Sequence, residues 1–134
     1  GAPFLPLRPT RYAEMLRDKI TETGATVWLV NTGWVGGSVG VGSRIKLSYT
    51  RAMVNAILNG SAAKSTFTVE PVFGLSIPNT IEGVPADVLI PRNLWSDTAA
   101  YDQNAARLVG LFVDNFKKFT NVSADIIKGQ PISA

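Results

Sequence analysis

The sequence predicts a single domain of the α/β class, in the form of a mixed α+β fragment. Three observations predict it: segments with apolar residues at three- and four-residue spacing, short β-rich runs, and a glycine-rich stretch between them. A chain of 134 residues is long enough for one hydrophobic core and too short for two ordinary domains. We therefore expect helices packed on a small mixed sheet over residues 1–120, followed by a tail over 121–134.

The first segment predicts a helix over about 10–23. Pro9 or Thr10 suits its first turn, Gly24 suits its end, and apolar residues recur at helical spacing between them. The next run, ATVWLVN, is short, apolar and rich in β-favouring residues, which predicts a buried strand over about 26–31. This strand would lead directly into the glycines.

A second helix is predicted over about 48–59, with Ser48 as its cap and a glycine just beyond its end. After it, STFTVEPVFGLSIP alternates and predicts two short strands near 66–70 and 72–77. Pro71 separates them, and its lack of an N–H suits a hairpin or an edge position.

Residues 78–95 contain three prolines and predict an ordered loop. The following run predicts a helix that begins at Ser96 or Asp97, since both offer acceptors for the free amides of a first turn. Its apolar stripe comprises Tyr101, Ala105, Leu108, Phe112, Phe116 and Phe119.

The predicted sheet is thin, because it has only a few short strands. Such a sheet leaves apolar faces of the helices uncovered. We therefore expect the module to complete its sheet with another part of a larger protein.

Composition excludes several kinds of site. The chain has no Cys and no His, so it has no thiolate, no zinc-thiolate site and no imidazole base or ligand. Any catalysis by this chain alone would therefore depend on carboxylates, lysines, tyrosines or a Ser or Thr without its usual partner, which argues against an independent enzyme.

The charge and the hydropathy of the chain limit the kinds of partner it can have. Thirteen basic residues against ten acidic ones are dispersed along the chain, which argues against a nucleic-acid surface but suits a local anionic ligand. No run reaches the roughly 18 apolar residues of a membrane span, and no signal sequence opens the chain. We expect a cytoplasmic protein.

The stretch NTGWVGGSVGVGSRIKLSYTRAM, residues 31–53, resembles a phosphate-binding loop in outline. It lacks the Walker pattern, because Gly42 is followed by Ser43 and Arg44, and it lacks the dinucleotide pattern as well. Two interpretations remain open on spacing alone. Either the glycines form a mobile connection with solvated arginines, or Arg44 and Thr50 bind an anionic ligand.

Other candidates favour structural roles. Trp28 and Trp34 are expected in the core, and Asp18 and Glu22 on a solvated face. Arg92 is expected to hold the long loop down by hydrogen bonds.

Five segments together resemble the C-terminal part of the ATP-dependent phosphoenolpyruvate carboxykinase family: GAPFLPLRPTRYAEML, WLVNTGWVGG, GVGSRIKLSYTRAMVNAILNG, GVPADVLIPRNLW and LVGLFVDNFKKF. The resemblance runs to about residue 119. Its WLVNTGW block and its R-I-x-x-x-x-T block are specific. Arg8 and Ser43 depart from residues common in the family.

The resemblance implies an enzyme that converts oxaloacetate and ATP to phosphoenolpyruvate, ADP and CO2 with Mg²⁺ and Mn²⁺, in gluconeogenesis. It implies that this stretch belongs to the mobile nucleotide-binding domain, and that Arg44, Ile45 and Thr50 contact the adenosine part of ATP. The phosphate loop and the metal ligands of the family precede this stretch. The missing N-terminal part of the enzyme is thus an implied partner.

The leading hypothesis is therefore that this chain is part of a carboxykinase and contributes the adenosine side of its ATP site. By itself, the chain is expected to be inactive. The alternative is a stand-alone, non-catalytic nucleotide-binding or interaction module of the same fold. A third possibility is a structural remnant that binds no ATP.

Overall fold

A computed structural model describes residues 4–131. It contains both helices and strands, so the mixed α/β class is confirmed. The helices are α1 Pro9–Thr23, α2 Leu47–Leu58, α3 Ala86–Leu89, α4 Thr98–Phe116 and α5 Ala124–Ile127. The strands are β1 Trp34–Val35, β2 Ser43–Arg44, β3 Phe67–Val69 and β4 Ser76–Pro78, and 3-10 turns occupy Ala62–Lys64 and Pro91–Leu94.

Helix α1 follows the sequence signals closely. Pro9 stands in its first turn, where a missing N–H costs nothing. Gly24 ends it in the left-handed conformation, with φ of 65°, and donates its N–H to the carbonyl of Ile20 at 2.9 Å. The predicted helix over 10–23 is confirmed.

Helix α2 confirms the prediction over 48–59 except at its start. The helix begins at Leu47, with Lys46 at the cap position and no side-chain cap bond, so the prediction that Ser48 caps it is wrong. Gly60 follows the end of the helix with a φ of 77°.

Of the two residues predicted to cap helix α4, Ser96 and Asp97, the structure shows Asp97 at the cap position. The Asp97 carboxylate accepts hydrogen bonds from the backbone N–H of Ala99 at 2.9 Å and of Ala100 at 3.1 Å. The predicted stripe is covered only in part, since Ala105 is buried while Phe112 is 50% exposed. Which apolar side chains of this helix are buried therefore depends both on their spacing along the helix and on where the rest of the chain contacts it.

The predicted strand over 26–31 is wrong. These residues have no regular secondary structure, and the first strand lies further on, at Trp34–Val35. The loop predicted over 78–95 contains α3 and a 3-10 turn, and residues 121–134 contain α5. A segment becomes a strand when its backbone pairs with another strand, and a run of β-favouring residues does not by itself provide a second strand.

The strands form two antiparallel ribbons. In one, Trp34 pairs with Arg44; in the other, Thr68 pairs with Ile77 in the centre of the β3–β4 register. The second ribbon confirms the hairpin, one of the two arrangements predicted around Pro71, although its second strand begins at Ser76 and not near residue 72. The Glu70 carboxylate accepts the N–H of Val72 within the turn at 3.0 Å.

The buried core lies between α2, the β3–β4 ribbon and α3, and it is small. Within residues 4–131, the buried apolar side chains are Ala56, Ala62, Ile81, Leu89, Ala105 and Val109. Half-buried apolar side chains pack around the first four: Trp28, Met53, Ile57, Ile77 and Val84. Much apolar surface stays outside, with Leu29 and Leu58 each 80% exposed.

Candidate functional site

The glycine-rich stretch is a tight β-hairpin formed by β1 and β2. At its tip, the carbonyl of Ser38 accepts the N–H of Val41 at 3.0 Å and of Gly42 at 2.9 Å. A Cβ on Gly42 would lie 2.6 Å from the carbonyl oxygens of Val35 and Gly37, so glycine permits the two sides to approach this closely. The glycines therefore shape a defined hairpin, and the mobility that one of the two interpretations of the sequence gives them stays a prediction.

At its base, the hairpin contacts the 3-10 turn Pro91–Leu94. Gly36 has a φ of 76°, and a Cβ there would lie 3.0 Å from the carbonyl oxygen of Leu94. The 3-10 turn Pro91–Leu94 thus packs against the start of the glycine run.

The three residues proposed to contact ATP lie within residues 44–50. Arg44 is the last residue of β2 and is exposed. Ile45 follows it, half-buried, and donates its N–H to the carbonyl of Gly33 at 3.0 Å. Thr50 lies in the first turns of α2, half-buried, with its N–H bonded to the carbonyl of Lys46 at 3.2 Å.

The charge of this region is positive. The sequence holds no Asp or Glu between Glu22 and Glu70, while Arg44, Lys46 and Arg51 all lie there. Within residues 4–131, Arg44 has no acidic partner within ion-pair distance. A guanidinium that is exposed and unpaired in an acid-free stretch attracts an anion.

Sequence reasoning missed this acid-free stretch and the contact of Lys46. The Nζ of Lys46 lies 5.5 Å from the centre of the Tyr49 ring, over its face. The three-residue spacing of the two side chains at a helix start was the signal that could have identified the pair.

Ile45 also lines an apolar groove of about 460 Å³. Its other walls come from residues 27–31, from Met53 and Ile57 of α2, and from residues 75–78 at β4. The base of the hairpin and the groove are therefore adjacent, with Ile45 common to both.

The other side chains considered in the sequence, two tryptophans and two carboxylates, lie in the core or at the surface. Trp28 packs on the core as predicted, whereas Trp34 is 48% exposed, so its predicted core position is wrong. Asp18 and Glu22 lie on the exposed face of α1, and each pairs with a basic neighbour on the same helix. These two carboxylates are solvated, as predicted.

Arg92 holds the 3-10 turn Pro91–Leu94 to α4. Its Nε and Nη2 donate to the two carboxylate oxygens of Asp102 at 2.8 and 2.9 Å. This two-bond pairing lowers the pKa of the Asp102 carboxyl and raises the pKa of Arg92, chiefly through the hydrogen bonds. The prediction that Arg92 ties the loop down is confirmed.

A metal site or a membrane-spanning helix would indicate other kinds of function. No three His, Cys, Asp or Glu side chains in this part of the chain lie together as a metal site. None of the helices described there has both the length and the apolar character needed to cross a bilayer.

Comparison with known proteins identifies the family. A family profile described as phosphoenolpyruvate carboxykinase matches residues 1–87. The chain belongs to the phosphoenolpyruvate carboxykinase family. The resemblance drawn from the WLVNTGW and R-I-x-x-x-x-T blocks is thereby confirmed.

Three curated relatives named phosphoenolpyruvate carboxykinase (ATP) show how much of those proteins' length this chain spans. The chain is 60% identical to the relative from Lysinibacillus sphaericus over 126 residues, which are 94% of this chain and 24% of the relative. It is 54% identical to the Brevibacillus brevis relative, over 98% of this chain and 25% of that protein. It is 53% identical to the Bacillus cereus relative, over 99% and 25%. The chain thus spans about a quarter of the length of these carboxykinases.

Proposed function

We propose that this chain supplies the adenosine side of the ATP site in an ATP-dependent phosphoenolpyruvate carboxykinase. The observation that carries the proposal is the position of Arg44, which is exposed, has no acidic partner within residues 4–131, and ends the glycine hairpin shortly before α2. The relatives named phosphoenolpyruvate carboxykinase (ATP) support it.

Each of the three residues offers a different contact. The Arg44 guanidinium is planar and always charged, so it can stack on a purine or pair with phosphate oxygens. Ile45 offers an apolar surface beside the groove, and the Thr50 hydroxyl offers a hydrogen bond from the first turns of α2. A cation, an apolar side chain and a hydroxyl in residues 44–50 suit the mixed chemistry of a nucleoside.

The remaining chemistry belongs to the part of the enzyme outside these 134 residues. The reaction converts oxaloacetate and ATP to phosphoenolpyruvate, ADP and CO2, and it needs groups that bind the phosphates and the divalent cations. The described residues bring no metal-ligand cluster together, and the chain has no His or Cys. We therefore assign the Mg²⁺ and Mn²⁺ ligands to the rest of the enzyme and expect the isolated chain to be inactive.

The test uses a full-length chimera, in which the matched 126 residues of the Lysinibacillus sphaericus relative are replaced by those of this chain. Arg44→Ala should raise the apparent KM for ATP by about ten- to a hundredfold, since charged hydrogen bonds contribute about 1.5–3 kcal/mol. The KM for oxaloacetate should stay unchanged. Thr50→Val should raise the KM for ATP by less, about two- to tenfold, because a neutral bond contributes about 0.5–1.5 kcal/mol.

A matched control separates a contact from a general charge effect. Arg107→Ala makes the same chemical change on α4, where Arg107 is exposed and belongs to no ion pair within residues 4–131. It should leave the KM for ATP unchanged. Equal ATP dependence of Arg44→Ala and the unmodified chimera would refute the assignment of Arg44.

A further inference from the structure

The 3-10 turn Pro91–Leu94 lies between α4 and the glycine hairpin and contacts both. On one side, Arg92 donates two hydrogen bonds to the Asp102 carboxylate of α4, at 2.8 and 2.9 Å. On the other side, the carbonyl oxygen of Leu94 lies so close to Gly36 that an added Cβ there would meet it at 3.0 Å. The turn therefore joins an ion pair on α4 to the base of the hairpin.

The attachment of the turn to α4 has a defined geometry. Two parallel hydrogen bonds fix the plane of the Arg92 guanidinium against the Asp102 carboxylate, which a single contact between opposite charges does not do. Directly after the turn, Trp95 lies edge-on to Tyr101, with the ring centres 5.6 Å apart and the planes at 78°. The turn is thus held near the start of α4 by neighbouring residues of that helix.

The hairpin connects Gly36 to Arg44 over a short path. Gly36 directly follows β1, and in the ladder Trp34 pairs with Arg44 while Val35 pairs with Ser43. A displacement of Gly36 would therefore move β1, and the paired backbones would pass the displacement to β2. Arg44 is the last residue of β2.

The apolar groove shows that the turn and the hairpin are neighbours over more than one contact. Val35 and Ile45 line it from the hairpin side, and Leu89 and Pro91 line it from the segment that leads into the turn. The support of the hairpin by the turn therefore does not depend on Gly36 alone.

We propose that Arg92 and Asp102 are positioning residues for the ATP site. Their ion pair holds the turn Pro91–Leu94 on α4, the turn supports the hairpin at Gly36, and the hairpin sets the place of Arg44. This inference rests on the proposed role of Arg44 in binding ATP. Arg92 and Asp102 are assigned no contact with the nucleotide, because both act through Arg44.

Asp102→Asn in the full-length chimera tests the proposal through the sign of its effect. The substitution removes a negative charge, so a general electrostatic effect would lower the KM for ATP, which is an anion. Loss of positioning should instead raise the KM for ATP by about two- to fivefold, the range expected for an exposed ion pair. An unchanged or lowered KM for ATP would overturn the proposal.

The other kinetic constants separate positioning from a loss of folded enzyme. Asp102→Asn should leave kcat and the KM for oxaloacetate unchanged. A variant that only unfolds more readily reduces the amount of active enzyme, which lowers the apparent kcat and leaves the KM for ATP as it was. That pattern in Asp102→Asn would contradict a positioning role.

Asp114→Asn is the matched control. It makes the same chemical change on the same helix and breaks the exposed ion pair of Asp114 with Lys117, which are 2.8 Å apart. It should leave the KM for ATP unchanged, and an equal rise in both variants would refute the proposal. Arg92→Gln breaks the first pair with the opposite change in charge and should raise the KM for ATP as Asp102→Asn does.

A double-mutant cycle tests whether the ion pair acts through Arg44. In a chimera that already carries Arg44→Ala, Asp102→Asn should raise the KM for ATP no further, because the side chain that the pair positions is gone. A second rise by the same factor would show that Asp102 acts by another route and would overturn the proposal.

Hydrogen exchange keeps this inference distinguishable from the proposed function. The Ile45 amide, which donates to the Gly33 carbonyl at 3.0 Å, should exchange about two- to fivefold faster in Asp102→Asn than in Asp114→Asn. Equal rates would refute the support of the hairpin.

The two proposals fail separately. Faster exchange at Ile45, together with an unchanged KM for ATP in Arg44→Ala, would refute the adenosine contact and leave the support of the hairpin standing. A raised KM for ATP in Arg44→Ala, together with an unchanged one in Asp102→Asn, would refute the positioning role alone.

Discussion

Gly42→Ala tests whether the glycine hairpin is a tightly packed unit. Gly42 does not have a positive φ, so alanine introduces no left-handed strain there, and any loss of stability comes from the contacts of the added methyl group. That methyl group would lie 2.6 Å from the carbonyl oxygens of Val35 and Gly37 and 2.9 Å from the amide nitrogen of Gly37. All three are backbone atoms, so the two sides of the hairpin must move apart.

The expected cost follows from the overlap. Forcing one extra methyl group into a packed site costs about 1–3 kcal/mol, and the two carbonyl contacts here place Gly42 toward the upper part of that range. We expect the free energy of unfolding of the isolated chain, measured by urea denaturation, to fall by about 2 kcal/mol.

Gly110→Ala is the matched control. Gly110 lies inside α4, and an added Cβ there meets nothing within 4 Å. The same substitution should therefore stabilise the chain by about 1 kcal/mol, through helix propensity alone. If Gly42→Ala changed the free energy of unfolding by less than about 0.5 kcal/mol, the close approach of β1 and β2 would be refuted.

Two further predictions concern α4. Asp97→Ala should lower the free energy of unfolding by about 1 kcal/mol in urea denaturation because it removes the cap, whereas Ser96→Ala should leave it unchanged; equal effects would contradict the capping geometry. Arg92→Gln should raise the pKa of the Asp102 carboxyl, as followed by NMR titration. Because the folded pKa of Asp102 is lowered, its contribution to stability is present above its ordinary pKa of 3.8 and is lost as the pH falls through the lower folded value. An unchanged Asp102 titration in Arg92→Gln would contradict the pairing.

Much of the secondary structure could be predicted from local signals. The helices α1, α2 and α4 combine periodic apolar residues with residues that begin or end a helix, such as Pro9, Gly24 and Asp97. The β3–β4 hairpin follows from alternation on both sides of Pro71. Those signals act within a few residues, so the sequence contains them in full.

The candidate site could be predicted only in part. Arg44, Ile45 and Thr50 came from family resemblance, and their role in binding ATP stays a prediction. Their setting was not predictable, because the hairpin depends on close approach between the two sides of the glycine run, at Gly37 and Gly42. The glycine count indicated an unusual backbone but did not specify which conformation it takes.

By itself, the sequence determined the three long helices, the mixed class and the family. The tertiary structure decided which apolar faces are covered: it buries Ala105 on α4, leaves Phe112 half exposed, and gives residues 26–30 no backbone hydrogen bond to another backbone group within residues 4–131. The physical reason is that helices satisfy their own hydrogen bonds, whereas a strand needs a partner that can lie far away in the chain or outside it.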